Sequence, residues 1–254
     1  MDTLTKPLRN FLEIPYDELE ERNLEAKKKR MNRVDEKELK EFYLTYLKKE
    51  KRLKAVTIGF TDLEGRFHML DYDKKFFIDN YNGLTFDGSS IRGFSRQAES
   101  DLRLKIDWGS FWWLPSDVFG PGKILMMGEV MDQAGIPYGM DIRGLLKKYT
   151  KELFEKKGYT VYTASEIEGF LLKGEDADKN FNERVGFEIV SKGGYYHSLP
   201  GDVLRIFIDK TAEAQRAKDG AEGGIPDRSV LPERDHWIHA RGAEGGNEAG
   251  RESG

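Results

Sequence analysis

The sequence contains no cysteine, and this absence excludes disulfide bonds, thiolate zinc sites and a cysteine nucleophile. Long apolar runs are missing too, since the longest, around Ile124–Met127, is far shorter than the ~20 residues of a membrane helix. The formal net charge of −4 gives no reason to expect nucleic acid or a membrane as a partner. Met1–Glu21 lacks the apolar segment of a signal peptide. We therefore expect a cytoplasmic protein.

What the sequence does contain divides into four zones. Residues 1–52 are highly charged and carry a helical pattern, so they predict a charged helical extension. Residues 53–134 hold several strand-like segments joined by turns, which predicts a small sheet domain. Residues 135–217 alternate helical and strand patterns. Residues 218–254 are rich in Gly, Arg and Glu and poor in large apolar residues, so we expect an aberrant and disordered tail.

Capping residues mark three helices. Asp35 precedes apolar residues at helical spacing up to Lys49, which predicts an amphipathic helix with Asp35 as its N-cap. Asp141 is expected to cap a helix over Ile142–Lys157, and Gly158 stands where a C′ glycine belongs. Asp202 is expected to cap a further helix that ends near Ala217.

A pair of glutamates lies within a predicted strand over Tyr159–Leu172. Because strand side chains alternate in direction, Glu166 and Glu168 share one face and Ile167 takes the other. Two adjacent carboxylates suit a hard cation such as Mg²⁺ or Mn²⁺. They also suit a solvent-facing strand surface, and the spacing alone leaves both interpretations open.

A loop rich in glycine and serine spans Phe86–Phe94. Its glycines permit tight backbone geometry, and Asp87, Ser89 and Ser90 can bind backbone amides or a ligand. An ordinary Asx or serine turn between two strands would have the same composition. The sequence contains neither a Walker loop nor a Rossmann fingerprint, so the loop is not assigned to a nucleotide phosphate.

Taken together, the motifs between about Lys54 and Ala217 resemble glutamine synthetase. The similarity rests on five segments in the family's order and spacing: Phe86–Ile91, Glu99–Leu102, Pro137-Tyr138, Ser165–Phe170 and Lys192–Tyr196. The implied fold class is α+β, with a β-grasp-like N-terminal domain followed by a truncated catalytic α/β sheet domain.

The resemblance implies ATP-dependent ligation of ammonia to L-glutamate through γ-glutamyl phosphate. It implies that Glu166 and Glu168 bind Mg²⁺ or Mn²⁺, with ATP as co-substrate, and that Asp87 binds ammonium and helps to remove its proton. Ser90 matches a supporting serine of the family. In the family this loop completes the site of a neighbouring subunit, which implies a homo-oligomeric ring. The resemblance assigns no ATP-binding residues here.

Several positions depart from the family pattern. Phe94 stands where the family has Trp, Ile167 where it has Pro, and Gly169 where it has an aromatic residue. The family's later metal ligands and phosphate-binding arginines are not recognisable in Lys218–Gly254. We therefore expect a truncated ligase that is not competent alone. The alternatives are a non-catalytic structural or regulatory subunit of the same family, or an unrelated two-metal enzyme built on the glutamate pair.

Overall fold

The computed structural model describes residues 13–161, 164–168, 170–191, 199–219 and 237–241, and for 164–168, 219 and 237–241 it describes the backbone only. The chain forms two compact units. One comprises Met1–Val161 with Ala217–Gly220, and the other comprises Tyr162–Arg216 with Ala221–Gly254. Each unit is described by itself below.

The first unit is built on a five-stranded mixed sheet with the order β2-β1-β5-β4-β3. β1 and β5 run parallel, and the other neighbouring pairs are antiparallel. The strands are β1 (Ala55–Thr61), β2 (Phe67–Asp73), β3 (Thr85–Asp87), β4 (Asp101–Trp113) and β5 (Lys123–Met131).

Burial along the strands follows their place in the sheet. The five central residues of β1 are all buried, because this strand lies between two neighbours and is covered on both faces. β2 forms an edge of the sheet, and its residues alternate between exposed and half-buried as expected for a strand with one solvated face. β4 also alternates up to Ile106 and then becomes nearly continuously buried.

Two helices of the charged extension, α1 (Tyr16–Met31) and α2 (Glu36–Lys49), pack against the sheet. The predicted N-cap of α2 is confirmed, since the Asp35 carboxylate accepts a hydrogen bond from the Lys37 amide at 2.9 Å. Tyr43 is buried, and its ring stacks on that of Phe111 with centroids 4.2 Å apart. The extension is thus an integral layer of the first unit.

One buried polar side chain ties α1 to the end of β4. Asn23 is fully buried, and it both accepts a hydrogen bond from the Trp113 amide and donates one to the Trp113 carbonyl, each at 3.0 Å. This pairing satisfies backbone groups that the sheet leaves unbonded at that point, which removes the cost of burying them.

Three further helices of this unit are α3 (Lys74–Asn80), α4 (Ser116–Phe119) and α5 (Ile142–Lys157). The bounds of α5 are those predicted, and Gly158 ends it in the left-handed conformation with φ 71°. Asp141 occupies the N-cap position, but the expected side-chain cap is wrong. Its carboxylate accepts a hydrogen bond from the Val130 amide at 2.8 Å, so Asp141 ties the start of α5 to β5.

The second unit contains β6 (Ala164–Glu168), α6 (Leu204–Asp219), whose last residues belong to the first unit, and β7 (Trp237–Arg241). β6 is shorter than the predicted strand Tyr159–Leu172, and within the described part of the chain residues 159–161 pair with no other strand. The predicted cap of α6 is confirmed, since Asp202 accepts from the Leu204 amide at 3.0 Å.

The expected disorder of residues 218–254 needs one correction. β7 lies within this stretch and pairs antiparallel with β6 over five residues, so the segment has sufficient strand propensity in Trp237-Ile238 to form a ladder. Residues 220–236 and 242–254 lie outside the described part of the chain, and there the expectation stays a prediction. Within the described residues, no helix is long and apolar enough to cross a membrane. The α+β fold class is confirmed.

Candidate functional site

The predicted site residue Asp87 ends β3 and begins a short 3₁₀ turn over Gly88–Ser90. Its side chain is exposed, and both carboxylate oxygens are engaged by the residues that follow. Oδ1 accepts hydrogen bonds from the Ser89 amide at 2.9 Å and from the Ser89 hydroxyl at 2.6 Å. Oδ2 accepts from the Ser90 hydroxyl at 2.9 Å. The loop therefore holds a carboxylate at the surface in a fixed orientation.

These hydrogen bonds also set the charge of Asp87. The Ser89 hydroxyl, followed by the Ser90 hydroxyl, lowers the pKa of Asp87 below its ordinary value of 3.8, because both groups stabilise the charged form. The carboxylate is consequently anionic across the physiological range. A fixed and exposed anion of this kind favours a cationic ligand.

The turn is held in place by close packing beneath it. A Cβ added to Gly88 would come within 2.6 Å of a Leu102 methyl carbon and 2.8 Å of the Ser95 hydroxyl, so any larger residue would force these side chains to shift. Phe94, which replaces the family's Trp, is buried against Tyr138 with ring centroids 5.5 Å apart. The Tyr138 hydroxyl donates a hydrogen bond to the Phe94 carbonyl at 2.5 Å. An aromatic ring at position 94 thus anchors the far end of the loop.

The second predicted site, Glu166 and Glu168, lies on β6. Strand geometry places both residues on one face and Ile167 on the other. In the ladder, Glu166 lies opposite His239 and Glu168 opposite Trp237. The chemistry of two carboxylates fits Mg²⁺ or Mn²⁺, although an octahedral ion requires more ligands than two. No group of three or more His, Cys, Asp or Glu side chains that could hold a metal exists among the residues described with side chains.

A buried ionic cluster was not predicted from the sequence. Asp107 on β4 accepts a hydrogen bond from the Arg143 guanidinium of α5 at 2.6 Å, and Lys147 Nζ lies 3.3 Å from the other carboxylate oxygen. Lys147 also pairs with Glu129 of β5. Burial alone would raise the pKa of Asp107, but the two cations outweigh it and the net pKa is lowered. This cluster attaches α5 to the sheet.

Arg143 and Lys147 are separated by one helical turn, and Asp107 and Glu129 lie on neighbouring strands. The i, i+4 spacing of these two cations on α5 is visible in the sequence, and it could have predicted that both lie on one side of the helix. The partners on the strands could not be identified from the sequence, because Asp107 lies 36 residues before Arg143. Lys192–Tyr196, the last of the five segments that resemble glutamine synthetase, lies outside the described residues.

Comparison with known proteins shows which domain and which relatives this chain is similar to. Residues 52–133 match the family model described as "Glutamine synthetase, beta-Grasp domain". Among curated relatives, a glutamine synthetase from Thermotoga maritima is 33% identical over 156 residues, covering 59% of this chain and 33% of the relative. One from Methanosarcina mazei is 34% identical over 155 residues, covering 61% of this chain and 33% of the relative. The chain thus spans about a third of the length of the curated relatives it matches.

Solved structures agree on the fold. A glutamine synthetase from Plasmodium falciparum matches with a TM-score of 0.51 at 19% identity, covering 70% of this chain and 39% of that one. A structure of GmaS in complex with ADP matches with a TM-score of 0.56 at 20% identity, covering 78% and 44%. The predicted β-grasp fold is therefore confirmed. Residues 52–133 match the β-grasp domain of glutamine synthetase, and about 60% of the chain is similar in sequence to glutamine synthetases.

Proposed function

We propose that this chain serves the glutamine synthetase reaction, the ATP-dependent ligation of ammonia to L-glutamate. The observation that carries the proposal is the Asp87 loop, in which an exposed carboxylate is fixed by two serines at the end of a β-grasp strand. The match over residues 52–133 and the relatives named above support it. A cytoplasmic location belongs to the same proposal.

In this proposal Asp87 binds the ammonium ion. An anionic carboxylate at the surface attracts a cation, and the serine hydroxyls keep it charged and oriented before the ion arrives. The same hydrogen bonds weaken Asp87 as a base, because they stabilise the carboxylate relative to the acid. Asp87 is therefore better suited to binding the cation than to accepting its proton while both serines remain bonded to it. Ser90 acts by positioning Asp87.

Glu166 and Glu168 would hold a divalent ion, which when bound neutralises phosphate charge during phosphoryl transfer. Their common face on β6 supports this role. L-glutamate, ammonia and ATP are the proposed substrates. We further propose a homo-oligomeric ring in which the exposed Asp87 loop completes the site of a neighbouring subunit. The exposure of Asp87 supports this arrangement, because a loop that serves another subunit must be accessible.

We also propose that the 254-residue chain does not catalyse the reaction alone. The region that matches the relatives covers about a third of their length, and the glutamate pair offers fewer ligands than an octahedral ion requires. The second candidate function is that of a non-catalytic structural or regulatory subunit. It is favoured by the family match, since residues 52–133 form the β-grasp domain, through which a subunit could dock without catalysis.

The test is an assay of the purified chain for γ-glutamyl hydroxamate with ATP, Mg²⁺ and Mn²⁺, with the Thermotoga maritima enzyme as the positive control. We expect no measurable turnover from the chain alone. Robust turnover would show that the chain is competent and would exclude the non-catalytic alternative. Mass photometry of the same sample separates the remaining possibilities, because a defined ring without turnover supports a structural subunit.

A further inference from the structure

A second site is indicated by a cleft beside the part of β4 that follows its pairing with β3. The cleft has a volume of about 570 Å³, which is within the usual size of small-molecule sites. It lies between the first turn of α2 and the strand residues that follow Asp101. Its lining is of two kinds, a set of charged side chains at the rim and a set of apolar side chains at the wall. Both sets belong to the first compact unit.

The cations of the rim come from two separate elements. Lys37 and Lys40 stand three residues apart on α2, and therefore on one side of that helix. Arg103 and Lys105 stand two residues apart on β4, and therefore on one face of the sheet. Among the described residues, none of the four side chains forms an ion pair or a hydrogen bond.

Two acidic residues, Asp35 and Glu36, also line the cleft. The Asp35 carboxylate is engaged by its own helix, where it accepts the hydrogen bond from the Lys37 amide. The lining thus carries four formal positive charges against two negative ones, in a chain whose net charge is −4. A local excess of positive charge in an acidic protein points to an anionic ligand.

The acids nearest to Lys105 on the neighbouring strand and towards α5 are already bound by other cations. Lys105 lies opposite Glu129 in the β4–β5 ladder, but the Glu129 carboxylate is bound by Lys147 of α5. Asp107, the next residue on the same face as Lys105, is bound by Arg143. Within the described part of the chain, the ionic cluster that attaches α5 to the sheet therefore leaves Lys105 without a carboxylate partner.

The wall of the cleft is apolar and partly aromatic. Trp108 is buried and Tyr81 half-buried, and their rings meet edge to face with centroids 5.5 Å apart. Leu104 and Ile106 lie behind this wall, buried on the face of β4 opposite to Arg103 and Lys105. A ligand that fills the cleft therefore needs a flat or apolar part in addition to its negative charge.

We infer that this cleft binds a small phosphorylated molecule that carries a ring, with its phosphates between the α2 lysines and Arg103 and its ring against the aromatic wall. Phosphate fits the rim because the Arg guanidinium forms paired hydrogen bonds with its oxygens, and because several cations can share its two or more charges. The inference uses no residue of the Asp87 loop or of the glutamate pair, so it stands independently of the proposed function.

The test uses GDP as a probe of this chemistry, with inorganic pyrophosphate and guanosine as its two parts, and isothermal titration calorimetry of the full chain. We expect GDP to bind with a Kd below about 1 mM and pyrophosphate to bind on the order of 10-fold more weakly. Guanosine alone should show no measurable binding. Equal binding of pyrophosphate and GDP would overturn the assignment of the aromatic wall, and no binding of GDP would overturn the site.

Variants locate the binding. Arg103→Gln/Lys105→Gln should weaken GDP binding by on the order of 10-fold or more, since two phosphate partners are lost. Lys49→Gln/Lys51→Gln removes the same charge from a surface away from the cleft and should leave the Kd unchanged. If the strand variant does not fold, Lys37→Gln/Lys40→Gln, on α2, replaces it and should weaken GDP binding in the same way. Asp87→Asn should bind GDP normally. Unchanged affinity in both cleft variants, or an equal loss in the control, would contradict the site.

Discussion

The Ser89 hydroxyl donates a hydrogen bond of 2.6 Å to Oδ1 of Asp87, and the Ser89 amide donates to the same oxygen. The residue that follows the turn glycine therefore contributes more to the Asp87 carboxylate than Ser90, which supplies one hydrogen bond to the other oxygen. The family resemblance implied a supporting role for Ser90 alone, whereas the geometry adds Ser89 as a positioning residue.

We predict that Ser89→Ala raises the pKa of Asp87 towards its ordinary value, because the strongest stabilisation of the charged carboxylate is lost. Ser90→Ala should raise it less. The measurement is a titration of the Asp87 carboxyl carbon by NMR. Ser116→Ala, in α4, should leave the titration unchanged. An Asp87 pKa that is the same in Ser89→Ala and in the unaltered chain would contradict this role.

A second prediction concerns the pH dependence of stability. Arg52 donates hydrogen bonds to Glu50 at 2.8 Å and to Glu18 at 2.6 Å, and the pKa of each carboxyl is lowered from 4.5 to about 2, with Arg52 as the largest cause. A lowered pKa means that the folded state favours the charged form. The stabilisation is therefore complete above about pH 5 and is lost as the pH falls towards 2.

Glu50→Gln should consequently lower the free energy of unfolding by about 1 kcal/mol at pH 7, and the difference from the unaltered chain should shrink as the pH falls below 5. Urea unfolding followed by circular dichroism at several pH values measures it. Glu64→Gln is the matched control, since its pair with Arg66 is largely exposed and should contribute little. A difference that grows in acid would show that the sign is wrong.

The buried ionic cluster gives a third prediction. Asp107→Ala leaves Arg143 and Lys147 facing a buried position without their shared carboxylate, so we expect a loss of about 2–3 kcal/mol in the free energy of unfolding. Glu152→Ala breaks an exposed pair on the same helix, α5, and should leave the free energy of unfolding nearly unchanged. Equal effects of the two substitutions in chemical denaturation would mean that the cluster does not fasten α5.

The fourth prediction tests whether the N-terminal extension belongs to the fold. Tyr43 is almost fully buried and stacks on Phe111 of β4, so Tyr43→Ala should cost about 3–5 kcal/mol. The adjacent Phe42 is 43% exposed and contacts Lys29, so Phe42→Ala should cost less than about 1 kcal/mol. If both substitutions change the melting temperature equally, the extension is not part of the core.

Local signals in the sequence were sufficient to predict α2, α5 and α6. Asp35, Gly158 and Asp202 act at or next to the ends of the helices they flank, and these residues lie where the capping patterns place them. Asp141 shows the limit of this reasoning. A capping side chain and a cross-strand partner look alike in sequence, and only the fold brings the Val130 amide within 2.8 Å of its carboxylate.

Part of the candidate site could also be predicted from residues that are close together in the sequence. Asp87 and its serines are neighbours in the chain, so their turn could be inferred from composition. The metal role of Glu166 and Glu168 stays a prediction, because it depends on ligands that other parts of a site must supply. The cleft beside α2 could not be foreseen at all, since Lys37 and Arg103 come together only through the packing of the extension on β4.

The most direct test of the central proposal places the β-grasp domain in a complete enzyme. Residues 52–133 of this chain would replace the matching domain of the Thermotoga maritima glutamine synthetase, with Asp87 unaltered or changed to Asn, and glutamine formation would be measured after mass photometry has shown equal assembly. We predict that the Asp87 chimera is active and that Asp87→Asn lowers kcat/KM for ammonia by at least about 100-fold. Equal activity of the two assembled chimeras would contradict the account.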